Sequence, residues 1–240
     1  MRVLSFSETG QVRKNNEDAF LVLSSYGLFA VADGMGGHQA GEVASGIAMS
    51  ELEKLAPELD EITNDKLEAW LREVIAHANQ VIYETSALHP ENQGMGTTLT
   101  LLVLRRTQGF VAHIGDSRAY LWRDEELVRL TVDHSLTEEL VRMGEITVEE
   151  AENHPQRHVL MRALGTSKQI KIDYQMCDLR PGDVFLLCTD GFSNLISDDE
   201  LIEKFRQPEE SWEAHFEGLK RLILERGAPD NFTALCCIME

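Results

Sequence analysis

Five acidic motifs stand beside strand-like runs, and their residue types could do metal chemistry. They are Glu17-Asp18 in RKNNEDAF, Asp33 in VADGMGGH, Asp116 in HIGDSRAY, Asp190 in LLCTDGF and Asp230 in GAPDNFTALCC. Asp33, Asp116 and Asp190 lie just past an apolar run, and Asp18 and Asp230 just before one. Taken singly, each reads more readily as a turn or loop cap than as a ligand, because Asp favours turns. Jointly they say more. If the strands pack as antiparallel sheets, some of these ends share one edge, and several buried carboxylates cannot all stay ionised there without a cation. A set of oxygen ligands alone suits Mg2+ or Mn2+ rather than zinc. Two such ions held roughly 3.5–4 Å apart can share a water, lower its pKa and so supply the nucleophile for in-line attack on phosphorus. Arg13, four residues before Glu17, offers a guanidinium fork for the phosphate oxygens.

Other phosphate chemistries fail on spacing. The cysteine-phosphatase loop needs Arg six positions after Cys, but Asp183 follows Cys177 and Asn194 follows Cys188 at that distance. No GxxxxGK[ST] loop is present, and neither GMGG at 34–37 nor GMG at 94–96 completes GxGxxG. HExxH and an EF-hand loop are also missing from the sequence. With no CxxC pair among Cys177, Cys188, Cys236 and Cys237, zinc and thioredoxin-like readings are weak. The last three of these lie in apolar runs and read as buried small hydrophobes.

The elements that must position the acidic residues follow from periodicity. Strands are expected at Val3–Phe6, Ala19–Leu23 and Leu28–Ala32, then helices over about Gly41–Leu55 and Asp65–Leu88, the second capped by Asn64. Four strands follow, at Thr98–Leu104, Phe110–Ile114, Ala119–Trp122 and Leu127–Leu130. Thr137 is the expected cap of a short helix, Glu138–Met143, and Gly144–His158 reads as a surface excursion with weak periodicity. Strands at Ile170–Met176 and Asp183–Cys188 precede a helix opened by Ser197 through Phe205, a helix over about Pro208–Arg226 and a strand at Phe232–Met239. Long βαβ alternation is missing. Helices grouped between runs of adjacent strands point to an α+β fold of antiparallel sheets with helices packed outside.

The 240 residues show no linker, repeat or low-complexity tract, so one domain over residues 1–240 is expected. A net charge of −19, from 41 acidic and 22 basic residues, argues against nonspecific nucleic-acid binding or an anionic membrane surface. No run approaches the roughly 18 apolar residues of a membrane span, and MRVLSFSETG lacks a secretory core, which makes the cytoplasm the expected compartment.

The set RKNNED, ADGMGGHQAGEVAS, GMGTTLT, GDSRAY, LTVDHS, HVLMRALG, LLCTDG and PDNFT, in that order from residue 13 to 233, resembles the bacterial branch of the metal-dependent protein phosphatases of type 2C. The resemblance implies a four-layer α-β-β-α sandwich, two packed antiparallel sheets flanked by helix pairs, with two or three Mn2+ or Mg2+ ions at one end. It implies that Asp33 bridges two metals and the Gly34 carbonyl joins one. Asp190 and Asp230 match further ligands, and Asp116 matches a ligand of a weaker third ion that shares Asp190. Glu17 and Asp18 match acidic residues that act on the metals directly or through water. Arg13 matches the phosphate-binding arginine, and 144–158 the flap beside the site. Many eukaryotic members carry His directly after Asp-Gly as a candidate general acid. Here Met35 stands there, and His38 is the residue that could serve instead. The implied activity is hydrolysis of phosphoserine and phosphothreonine in proteins, opposing a bacterial kinase. The alternatives are an inactive phosphoprotein-binding relative and a hydrolase of small phosphate esters.

Overall fold

The computed structural model describes every residue except 38–39 and 208–210, with the backbone alone at Glu152. In chain order the elements are β1 (Arg2–Glu8), β2 (Asp18–Leu23), β3 (Leu28–Met35), α1 (Ala40–Leu55), α2 (Asn64–Leu88), β4 (Gly96–Thr97), β5 (Leu99–Arg105), β6 (Gln108–Ile114), β7 (Arg118–Arg123), β8 (Glu126–Arg129), α3 (Leu136–Met143), α4 (Val148–Glu152), β9 (Asp173–Asp178), β10 (Val184–Cys188), α5 (Asp190–Ser193), α6 (Asp198–Phe205), α7 (Trp212–Glu225) and β11 (Phe232–Ile238). One antiparallel sheet runs β1-β11-β10-β7-β8. The other runs β2-β3-β5-β6-β9, with β4 also paired to β3.

The central strands are apolar almost without interruption because both of their faces are buried. Successive side chains point to opposite faces, and the cores divide accordingly. Leu28, Ala30 and Ala32 of β3 and Leu99, Leu101 and Val103 of β5 pack with α1 and α2. Val184, Leu186 and Cys188 of β10 and Phe232, Ala234 and Cys236 of β11 pack with α6 and α7. The intervening residues, among them Phe29, Val31, Leu102, Phe185, Leu187 and Leu235, meet between the sheets. Three cores between four layers are the α-β-β-α sandwich that the sequence resemblance implies.

Some element ends differ from expectation. The cap of α2 is Thr63, in extended conformation, and Asn64 is its first residue, whose side chain donates instead to Gln108 at 2.7 Å. The cap of α3 is Ser135, which accepts from Glu138 N–H, so Thr137 lies inside the helix. Two short helices went unread. α4 lies within the 144–158 excursion and is fixed by a reciprocal capping box between Thr147 and Glu150, and α5 follows β10 directly. The expected helix from Pro208 is observed from Trp212, and residues 208–210 lie outside the described residues.

Register places the acidic motifs at one end of the sandwich. Asp18 faces Asp33 across β2–β3. The end of β3 that carries Asp33 adjoins the start of β5, and Leu99 there faces Ile114 at the end of β6, next to Asp116. In the other sheet Arg118 at the start of β7 faces Cys188 at the end of β10, next to Asp190, and Cys188 faces Ala234 near the start of β11, next to Asp230.

Candidate metal and phosphate site

Asp18 ties the two sheets together. Its Oδ2 accepts from Thr189 Oγ1 at 2.8 Å, just past β10, and from Thr233 Oγ1 at 2.7 Å in β11. Thr233 has spent its proton, so Ser7 Oγ donates to it at 2.8 Å and itself accepts from Asn16 Nδ2 at 2.8 Å. The other oxygen, Asp18 Oδ1, is buried with no hydrogen-bond partner. A buried carboxylate oxygen without a donor is costly unless a proton or a cation meets it.

Asp33 is held through its backbone. Its N–H donates to Thr98 Oγ1 at 2.8 Å, and its carbonyl accepts from Thr98 N–H and Thr97 Oγ1, both at 2.9 Å. Thr98 Oγ1 also meets Ser117 Oγ at 2.7 Å, joining this turn to the one that bears Asp116. The Asp33 and Asp190 carboxyls lie close enough that each acts on the other's titration.

Burial and mutual repulsion push these acids up. Asp33 titrates well above the usual carboxylate range because it is desolvated and lies near Asp18, Asp190 and Asp116. Asp116 is pushed up to about 8 by burial and by Asp190 and Asp133. Asp18 is pushed up to about 7 by burial, which outweighs its two threonine hydrogen bonds. Asp190 is raised by burial, against a lowering contact from Asp33, and Glu17 is raised by burial, against Arg13.

The second half of the site hangs on Asn231, which is buried. Its Nδ2 donates to the carbonyls of Thr9 at 2.8 Å and Asn15 at 2.9 Å, and its Oδ1 accepts from Glu17 N–H at 2.8 Å. These bonds pin the Arg13-bearing loop against the Asp230 turn. Arg13 Nη2 then donates to Asp230 Oδ2 at 2.7 Å. Burial pulls the Arg13 pKa down, but Asp230, Glu17 and Asp33 raise it by more. The Asp190 and Asp230 turns touch by backbone: a Cβ on Gly191 would fall 1.9 Å from the Asn231 carbonyl oxygen.

Gly34 and Glu17 meet at the start of α1. The Glu17 carbonyl accepts from Gly34 N–H at 3.1 Å and Ser45 Oγ at 2.6 Å. A Cβ on Gly41 would stand 2.6 Å from the Gly34 carbonyl oxygen and 2.9 Å from the Glu17 carboxyl carbon, so only glycine leaves room for both oxygen groups.

Asp33, Asp190, Asp18 and Asp116 are thus within electrostatic reach of one another. Asp230 acts on Asp190 and Glu17 through charge while its carboxylate is turned onto Arg13. Among the described residues no three His, Cys, Asp or Glu side chains are drawn in to metal-ligand spacing. The chemistry of the donor set still fits hard divalent cations: carboxylates and one carbonyl, an orphaned buried oxygen, and a glycine cradle around Gly34 and Glu17. His38 lies outside the described residues. The sequence reading missed Thr98, Ser117, Thr189, Thr233 and Asn231. A signal was present for four of them, since Ser117, Thr189, Asn231 and Thr233 are hydroxyl or amide residues within the acidic motifs GDS, TDG and DNFT, whereas Thr98 in GMGTT has no acid beside it.

Comparison with known proteins identifies the family. The family model described as Protein phosphatase 2C matches residues 10–230. The serine/threonine protein phosphatase PstP of Mycobacterium tuberculosis is 42% identical over 235 residues, which cover 98% of this chain and 44% of PstP, so the chain spans less than half the length of that relative. The serine/threonine phosphatase stp of Listeria monocytogenes is 38% identical over 201 residues, covering 82% of this chain and 80% of stp. A crystal structure of the catalytic domain of PstP in complex with two manganese ions superposes with a TM-score of 0.87 at 37% identity, covering 100% of this chain and 98% of that one. Its fold, its site-end aspartates and these matches make this chain a member of the protein phosphatase 2C family.

Proposed function

We propose that the chain is a phosphatase that hydrolyses phosphoserine and phosphothreonine in proteins with Mn2+ or Mg2+. The observation that carries this reading is the convergence of Asp18, Asp33, Asp116 and Asp190, from both sheets, into one mutually repelling set. Asp33, the Gly34 carbonyl, Asp190 and Asp230 would hold two ions, Asp116 and Asp190 would hold a weaker third, and Glu17 and Asp18 would support them directly or through water. When bound, the ions supply the positive charge that lets these carboxylates ionise and the acidity that activates water toward phosphorus.

The residues do the rest. Arg13 turns from Asp230 to the phosphate oxygens, holding the ester in line and offsetting charge that builds in the transition state. Asn231 sets the Arg13 loop, and the threonines around Asp18 and Asp33 fix carboxyls that would otherwise swing apart. His38 is the proposed proton donor to the leaving alkoxide. One domain with a flap over 144–158 completes the reading. The substrates are phosphoproteins, and the opposing enzyme is a serine/threonine kinase of a bacterial signalling pathway. Among the described residues no helix is long and apolar enough to cross a membrane. We place the protein in the cytoplasm, with neither nucleic acid nor membrane as a partner.

Hydrolysis of a phosphothreonine peptide and of p-nitrophenyl phosphate tests this. Turnover with Mn2+ that is lost with EDTA and in Asp190→Asn supports it. Peptide binding without turnover would leave an inactive binder, and turnover of the small ester alone would leave a small-molecule hydrolase.

A further inference from the structure

His134 stands between the Asp116 turn and the chain returning from 144–158. Its backbone N–H donates to the Gly115 carbonyl at 2.7 Å, and Gly115 N–H donates to His134 Nδ1 at 3.2 Å. The two bonds clasp the residue immediately before Asp116. Because Nδ1 accepts, the imidazole is neutral and carries its proton on Nε2. That proton goes to Asp173 Oδ2 at 3.1 Å, and Asp173 Oδ1 accepts from Arg162 Nη1 at 2.9 Å. The backbone repeats the connection: Met161 N–H donates to the His134 carbonyl at 2.7 Å, and Leu136 N–H to the Val159 carbonyl at 2.8 Å. His134 is only 4% exposed and lies against the His113 ring, with centroids 4.7 Å apart. Gly115 adopts φ +113, and a Cβ there would fall 2.5 Å from Thr98 Cβ, so this position carries no side chain and is held through its backbone.

We propose that His134 is a positioning residue for Asp116 and that, through Asp173 and Arg162, it makes the setting of the Asp116 carboxyl depend on residues 159–162. This rests on Asp116 belonging to the cation-holding site. His134 touches neither the carboxyl nor a substrate. It acts as an outer hydrogen-bond partner, a class whose loss costs about 10–100-fold in metal affinity or activity.

A double-mutant cycle tests it, with Mn2+ binding followed by calorimetry alongside turnover of the phosphothreonine peptide. His134→Gln reaches Asp173 but offers Gly115 no acceptor, whereas His134→Asn places an oxygen near the Nδ1 position. His134→Gln should weaken the Mn2+ binding event that Asp116→Asn abolishes by about 10–100-fold, and His134→Asn should retain most of it. In the Asp116→Asn background His134→Gln should add nothing further. Nitrogen NMR of the unaltered chain in Mg2+ should show His134 protonated on Nε2 and the Gly115 amide slow to exchange. Those two readings decide the matter if His134→Gln does not fold. A proton on Nδ1, no Asp116-dependent binding event, or equal losses in both backgrounds overturns the proposal. Absence of turnover with the binding cycle intact would sink the phosphatase reading and leave the role of His134 standing.

Discussion

Asp18 and Asp33 face each other directly across the β2–β3 pair, two acids of the same sign at the site end of one ladder. Like charges so placed destabilise a sheet by up to about 1 kcal/mol. Here burial adds to the cost.

Neutralising one of the pair should therefore stabilise the fold when divalent ions are chelated. In EDTA at pH 8, Asp18→Asn is expected to melt above the parent by about 2–4 °C, the shift that about 1 kcal/mol produces in a chain of this size. With saturating Mn2+ the order should reverse, because the parent gains an ion's binding energy that the variant lacks. Differential scanning calorimetry measures both. A parent that melts higher in EDTA at pH 8 would contradict the repulsion.

The same pair has a pH signature. A carboxyl whose folded-state pKa lies above its unfolded value stabilises the fold below the unfolded pKa and loses that contribution as pH rises through the folded one. For Asp18 the window runs from about 4, the ordinary aspartate value, to about 7. The melting temperature of the parent in EDTA should fall relative to Asp18→Asn across that window and run parallel to it above. A difference that does not change with pH would show that Asp18 is not raised.

Asn231 satisfies three backbone groups at once, two carbonyls and one N–H. Asn231→Ala leaves them without that partner, which costs about 1–3 kcal/mol for each group that stays buried. It also frees the loop that carries Arg13. We expect lower stability in urea titration together with a raised KM for the phosphopeptide, since the proposed phosphate clamp, Arg13, is no longer held. An unchanged KM would separate Asn231 from Arg13.

Gly191→Ala should be poorly tolerated although the position is a helix residue, where alanine normally favours the helix. Its Cβ would lie 1.9 Å from the Asn231 carbonyl oxygen. Relief requires the Asp190 and Asp230 turns to part. Overpacking of this kind costs about 1–3 kcal/mol, and Mn2+ affinity should fall with stability. Parent-like Mn2+ binding would mean that the two turns do not need to touch.

Much of this was legible in the sequence. Apolar runs bounded by Asp-Gly, Gly-Asp and Pro-Asp marked strand ends, and the runs lacked alternation because the sheets are buried on both faces. The caps of α2 and α3 were misplaced by one or two residues because Thr63, Asn64, Ser135 and Thr137 are all capable caps, and backbone conformation decides among them. α4 was missed because five residues cannot display a helical period, although Thr147 and Glu150 carry its capping signature. Asn231, Thr189 and Thr233 were not singled out because their partners lie up to 222 residues away in sequence, at Thr9 and Asp18. Composition and periodicity report which face is buried. They do not report which hydroxyl meets which carboxylate across two sheets.

The central claim is that these acids share divalent cations. Anomalous scattering at the manganese edge, from crystals of this chain grown with Mn2+, tests it most directly. Two peaks about 3.5–4 Å apart are predicted, both within ligand distance of Asp33, with the Asp190 and Asp230 carboxylates drawn onto one of them. Well-ordered carboxyls with no peak beside Asp33, at a Mn2+ concentration that supports turnover, would contradict it.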